Sequence, residues 1–129
     1  VEISDQPGDL ARAVRFAGGE GVRCLSTEAA GARGRAGGRG CRPGEARPTP
    51  AFGLAADWVI QAVGPGYDEE NSQESCRLLQ AAYQASRTGA RDHGCRRVAF
   101  PAISTGAYRF PLPPAARIAL SVAEDSLQC

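Results

Sequence analysis

The sequence has no lysine and no methionine, and it carries one tryptophan, one histidine (His93) and one asparagine (Asn71). Its fifteen cations are therefore all arginine; set against fourteen carboxylates they leave a formal net charge of +1. Such a balance supplies no basic excess to draw the chain onto nucleic acid or an acidic membrane surface. No apolar run approaches the length of a membrane span and no signal-peptide pattern is visible, so no membrane association is expected. One histidine and no fixed-spacing Cys or His pair make a metal site unexpected, His93-Gly-Cys95 being the only hint of one. The five cysteines (Cys24, Cys41, Cys76, Cys95, Cys129) are odd in number and contain no C-x-x-C pair. That pattern argues for free thiols in a reducing compartment, cytoplasmic or nuclear. A chain without methionine reads as a fragment or processed form, and its Arg/Ala/Gly/Pro-heavy usage suits a GC-rich coding region.

What is present fits one domain over residues 1–129 with a modest core. Residues 1–4 alternate and suit a short strand, and Pro7-Gly-Asp9 suits a turn. Residues 11–16 fit strand or helix equally, and 18–22 form a glycine-rich loop. Residues 31–47 are dominated by Gly and Arg, with no apolar side chain larger than Cys41. Such a stretch buries too little to offset its ordering entropy and reads as a mobile loop. An RGG-like nucleic-acid contact is the alternative, but the stretch has no aromatic to stack on a base.

From Trp58 onward the pattern sharpens. Residues 58–63 form a nearly continuous apolar run, as in a strand buried on both faces. Asn71 and Glu74 make a capping-box-like start to a helix running to about Arg91. Residues 96–100 read as a second buried strand. Pro113 and Pro114 suit the first turn of a helix whose apolar face holds Ala115, Ile118, Ala119, Val122 and Leu127. Strand, helix, strand, helix in this order predicts a three-layer α/β/α domain with a mixed sheet.

The segment Phe100-Pro-Ala-Ile-Ser-Thr-Gly-Ala-Tyr-Arg-Phe-Pro111 lies between the second strand and the second helix. Such loops turn backbone N–H groups outward, and a helix N-terminus adds positive potential, which suits phosphate. Ser104, Thr105 and Gly106 leave room for close approach to the backbone, and Tyr108 would lie against a flat or sugar-like group. A plain tight turn is the alternative.

This segment resembles the second phosphate-binding loop of macrodomains, modules that bind ADP-ribose. Pro43-Gly-Glu-Ala-Arg-Pro-Thr49 and Asp57-Trp-Val-Ile-Gln-Ala-Val-Gly-Pro65 resemble two further blocks of that family in the same order, with Gln61 where the family usually has His. The likeness is to the branch of O-acetyl-ADP-ribose deacetylases and ADP-ribosyl hydrolases. It implies a macrodomain-like α/β/α fold, incomplete at both ends. It also implies that Ser104, Thr105, Gly106 and Ala107 hold a diphosphate while Tyr108 flanks the distal ribose. Gly8-Asp9-Leu10 is similar to the family's Gly-Asp-Ile, which would make Asp9 an acceptor for the adenine amino group; a turn or helix-cap role for Asp9 is the alternative. Residues 18–31 can be laid on the family's glycine loop, giving Gly19, Gly21 and Val22 a place at the ligand.

Departures from the family bear on activity. Glu20 puts an anion where diphosphate should lie. Arg23 replaces an aspartate of the hydrolase branch, and Arg109 stands where the family usually has Gly. The Asn-Ala-Ala-Asn block and most of the central strand before it have no counterpart. The expected function is ADP-ribose binding, impaired as a catalyst, with no catalytic residue, metal or cofactor assigned. The expected partner is ADP-ribose or an ADP-ribosylated protein. An active hydrolase of ADP-ribosylated protein or O-acetyl-ADP-ribose is the second reading, and a damaged gene product the third.

Overall fold

A computed structural model describes residues 24–28, 42–50, 57–96, 98–106 and 108–127. The elements are strands β1 (Cys24–Glu28), β2 (Ala46–Pro50) and β3 (Trp58–Ala62), helix α1 (Ser72–Asp92), strand β4 (Val98–Ala99) and helix α2 (Leu112–Leu127). The four strands form one mixed sheet in the order β2-β3-β1-β4. β1 runs parallel to both β3 and β4, with Cys24 opposite Trp58 and Val98, whereas β2 is antiparallel to β3.

β3 behaves as its apolar run predicts. Ile60 and Ala62 point toward α1, Ile60 packing with Ala90 and Ala62 with Leu79 and Tyr83. Val59, on the opposite parity, is buried as well, so the strand is covered on both faces. α1 starts where the sequence places it, but Asn71 makes no side-chain capping hydrogen bond, so the capping box does not form. Ser75 is used instead: its N–H donates to Asn71 O (3.0 Å) and its hydroxyl accepts from Asp68 N–H (3.1 Å). Glu74 turns outward to Arg77 (2.6 Å), whose hydrogen bonds hold its carboxyl below the usual carboxylate range. This pair is fully exposed and counts for little in stability.

Three expectations are corrected. The mobile-loop reading fails from residue 42 onward, because Arg42 to Glu45 form a tight turn and Ala46 and Arg47 open β2. Gly44 adopts φ +88°, its N–H donates to Val63 O (2.8 Å), and Val63 N–H returns to Glu45 O (3.0 Å). Main-chain pairing, which composition does not reveal, holds the segment. Residues 29–41 lie outside the described residues. Cys24–Glu28, read as part of a glycine-loop block, is instead a strand in the middle of the sheet, so the central position does not go unfilled. The second strand, expected over 96–100, is a two-residue β4 with half-buried side chains, and Phe100 is exposed.

The only histidine serves packing. His93 sits at the C-terminus of α1 with Nδ1 2.8 Å from Gly89 O, and its ring meets Trp58 edge-on at 4.4 Å between centroids. Cys76 is a free thiol, but Cys95 is disulfide-bonded, which departs from the expectation of free thiols throughout.

Candidate functional site

β3 and β4 point the same way through β1, so the segments that follow them, residues 63–71 and 100–111, emerge at one end of the sheet. Ligands of open α/β sheets lie at such carboxyl ends. The two segments are joined in three places. Tyr67 N–H donates to Tyr108 O (3.0 Å), the Tyr67 and Phe110 rings meet edge-to-face at 5.0 Å, and Gly64 lies against Ile103 and Ser104. The last contact is close enough that a Cβ on Gly64 would stand 2.1 Å from Ser104 Oγ and 2.5 Å from Ile103 Cγ2.

The loop following β4 is tightly wound. Thr105 N–H donates to Ala102 O (3.3 Å), as does the Thr105 hydroxyl (2.7 Å). Further on, Arg109 N–H reaches Gly106 O (2.9 Å) and Phe110 N–H reaches Ser104 O (2.9 Å). Ile103, Ser104 and Phe110 are buried, whereas Thr105, Gly106 and Tyr108 are partly exposed. The N–H groups of Gly106 and Tyr108 make no hydrogen bond with any described residue. They are main-chain donors in a loop where the carbonyls of Ala102, Ser104 and Gly106 accept from Thr105, Phe110 and Arg109.

α2 itself offers fewer donors than a helix start usually does. Pro113 and Pro114 occupy its first turn and have no N–H, and Ala115 N–H already donates to Pro111 O (3.2 Å). The helix end that the sequence suggests therefore presents few N–H groups to an anion.

Arg109 takes φ +56°, a left-handed conformation that suits glycine and costs other residues about 1 kcal/mol. This gives a physical reason for the family's Gly at that position. We expect Arg109→Gly to raise the thermal midpoint by a few degrees, about 0.5–1 kcal/mol. A midpoint that falls would show that the arginine side chain holds the loop.

Ser104, Thr105, Gly106 and Tyr108 lie together in the loop that follows β4. Ala107, Asp9, Gly19, Gly21 and Val22 lie outside the described residues. Two residues that sequence reasoning passed over shape the loop. Neither Gly64 nor Tyr83 stands out from the strand and helix patterns around it. A buried phenol carries a hydroxyl that needs partners, and that is the signal available in the sequence.

Among the described residues, no group of three or more His, Cys, Asp or Glu could hold a metal ion, and no helix is long and apolar enough to cross a membrane. Behind the loop lies a mostly apolar cleft of about 400 Å³ between α1 and α2, where Phe100, Leu112 and Leu120 are exposed.

Residues 5–119 match the Macro domain family. A macro domain-containing protein of Caldanaerobacter subterraneus subsp. tengcongensis is 47% identical over 89 residues, 69% of this chain and 50% of that protein. A protein-ADP-ribose hydrolase of Treponema medium is 39% identical over 82 residues, 64% of this chain and 31% of that protein. Among solved structures, the Trypanosoma brucei macrodomain in complex with ADP-ribose superposes with a TM-score of 0.71 at 28% identity, covering 84% of this chain and 53% of that one. The chain spans about half the length of the curated relatives it matches. The family match covers most of the sequence, and the mixed sheet and helices described above superpose on a solved macrodomain: the chain belongs to the macro domain family.

Proposed function

We propose that the chain binds ADP-ribose, with the diphosphate on residues 103–108 and the distal ribose beside Tyr108. The observation that carries this reading is the pair of N–H donors on Gly106 and Tyr108, which hydrogen-bond no described residue and lie in the loop after β4 at the carboxyl end of the sheet. Backbone donors fixed in place need no reorganisation when an anion arrives, which favours phosphate over a neutral ligand. The ADP-ribose bound to the Trypanosoma brucei macrodomain supports the choice of ligand. The cellular form of that ligand, on this reading, is free ADP-ribose or ADP-ribose attached to protein.

Hydrolysis is the competing reading, supported by the name of the Treponema medium relative. We favour binding without turnover. Arg23 stands where the resemblance calls for Asp, and the one asparagine, Asn71, is spent at the exposed N-terminus of α1.

Calorimetric titration with ADP-ribose and AMP tests the assignment. ADP-ribose is expected to bind with a Kd between about 50 μM and 1 mM, or about −4 to −6 kcal/mol, and AMP more weakly, because AMP lacks the parts the loop holds. ADP-ribosylated protein incubated alongside should release ADP-ribose only at background. Equal affinity for the two nucleotides would remove the loop assignment, and clear release would restore the enzyme reading.

A further inference from the structure

Tyr83 lies on α1, twenty residues before Ile103 in sequence, yet its hydroxyl reaches into the base of the loop. It donates to Pro101 O (3.1 Å) and accepts from Ile103 N–H (3.1 Å). The ring is buried, packs in the main core with Leu79, Ile103 and Phe110, and meets Phe100 at 5.7 Å between centroids. Ile103 N–H also lies 3.0 Å from Pro101 O, so one phenol closes a small ring through the residues where the strand becomes the loop.

The consequence concerns where the loop's donors point. Pro101 and Ile103 bracket Ala102, whose carbonyl takes both the N–H and the hydroxyl of Thr105. Ser104, next along, is wedged against Gly64 and takes φ +66°. Fixing 101 and 103 therefore fixes the first turn of the loop, the turn that leads into Gly106. The ring packs α1 into the core, and the hydroxyl adds a connection to the loop's main chain.

We propose that Tyr83 is a positioning residue for diphosphate binding, its hydroxyl holding the Pro101–Ile103 main chain so that the loop's free amides converge on the anion. This rests on the reading that residues 103–108 take the diphosphate of ADP-ribose. Tyr83 touches no ligand in this role and acts only through the backbone it bridges.

The test is Tyr83→Phe, which keeps the ring and removes the hydroxyl. Ser86→Ala is the control: it deletes another buried hydroxyl of α1, one that bonds Ala82 O (2.9 Å) within the helix. Titrations are run well below the melting temperature of each variant. Tyr83→Phe should weaken ADP-ribose by about tenfold, roughly the worth of one hydrogen bond, and leave AMP unchanged. Ser86→Ala should leave both unchanged. Amide exchange of residues 103–106 should quicken in Tyr83→Phe alone. Should Tyr83→Phe not fold, 3-fluorotyrosine placed at position 83 preserves the ring's shape and alters the hydroxyl's hydrogen bonding; ADP-ribose affinity should then shift while AMP affinity does not. ADP-ribose and AMP falling together, or ADP-ribose binding as in the parent, would overturn the positioning role. A Gly106→Glu protein that binds ADP-ribose like the parent would instead overturn the loop reading beneath it, so the two failures are distinguishable.

Discussion

Replacing Gly64 with alanine should abolish measurable ADP-ribose binding and lower stability by about 1–3 kcal/mol. The new Cβ would stand 2.1 Å from Ser104 Oγ and 2.5 Å from Ile103 Cγ2, both well inside van der Waals contact. Neither neighbour has room to retreat, because Ile103 and Ser104 are completely buried. The strain must therefore move the loop away from β3, taking the Gly106 and Tyr108 amides with it. Gly66, two residues on, has nothing within 4 Å of an added Cβ and serves as the control. Gly66→Ala should melt and bind like the parent, whereas Gly64→Ala should melt several degrees lower. A Gly64→Ala protein with parental melting and parental affinity would show that the contact between the two segments is not what shapes the loop.

The second large effect is expected from Gly106→Glu. Gly106 is partly exposed, so a side chain there has access to solvent. Folding should be retained to within about 0.5 kcal/mol, as for a surface substitution. Binding should be lost, because the glutamate adds bulk and a negative charge where the diphosphate is to lie, and like charges at contact repel strongly in a partly dehydrated site. Circular dichroism verifies the fold and calorimetry the loss. A folded Gly106→Glu protein with undiminished affinity would mean that the phosphates are held elsewhere.

These two substitutions separate what the sequence makes legible from what it hides. β3, α1 and α2 could be read because burial imposes a period: a continuous apolar run for a strand covered on both faces, and a 3.6-residue repeat for each helix. β2 was hidden because its stability comes from main-chain pairing with β3. Its residues, Ala-Arg-Pro-Thr-Pro, carry no alternation, and its two prolines are tolerated because, among the described strands, it lies at the sheet's edge. β1 was hidden for a different reason. Cys-Leu-Ser-Thr-Glu is too polar to announce a central strand, and only the parallel register with β3 and β4 reveals it. The loop that carries Ser104, Thr105, Gly106 and Tyr108 was legible, because it falls between a strand and a helix start. Gly64 and Tyr83 were not, because each acts across the fold, through a contact between segments 40 and 20 residues apart in the chain. The helix N-terminus misled in the opposite direction: a helix start favours anions only where its N–H groups are present, and two prolines take them away.

Nuclear magnetic resonance of the 15N-labelled chain during titration with ADP-ribose tests the central claim most directly, since it reports on each amide separately. The amides of Gly106 and Tyr108 should show the largest shift changes and should move together along one saturating curve. Residues lining the apolar cleft between α1 and α2, such as Ala116 and Leu120, should stay near their starting positions. Saturating changes at the cleft, with Gly106 and Tyr108 unmoved, would contradict the assignment of the diphosphate to this loop.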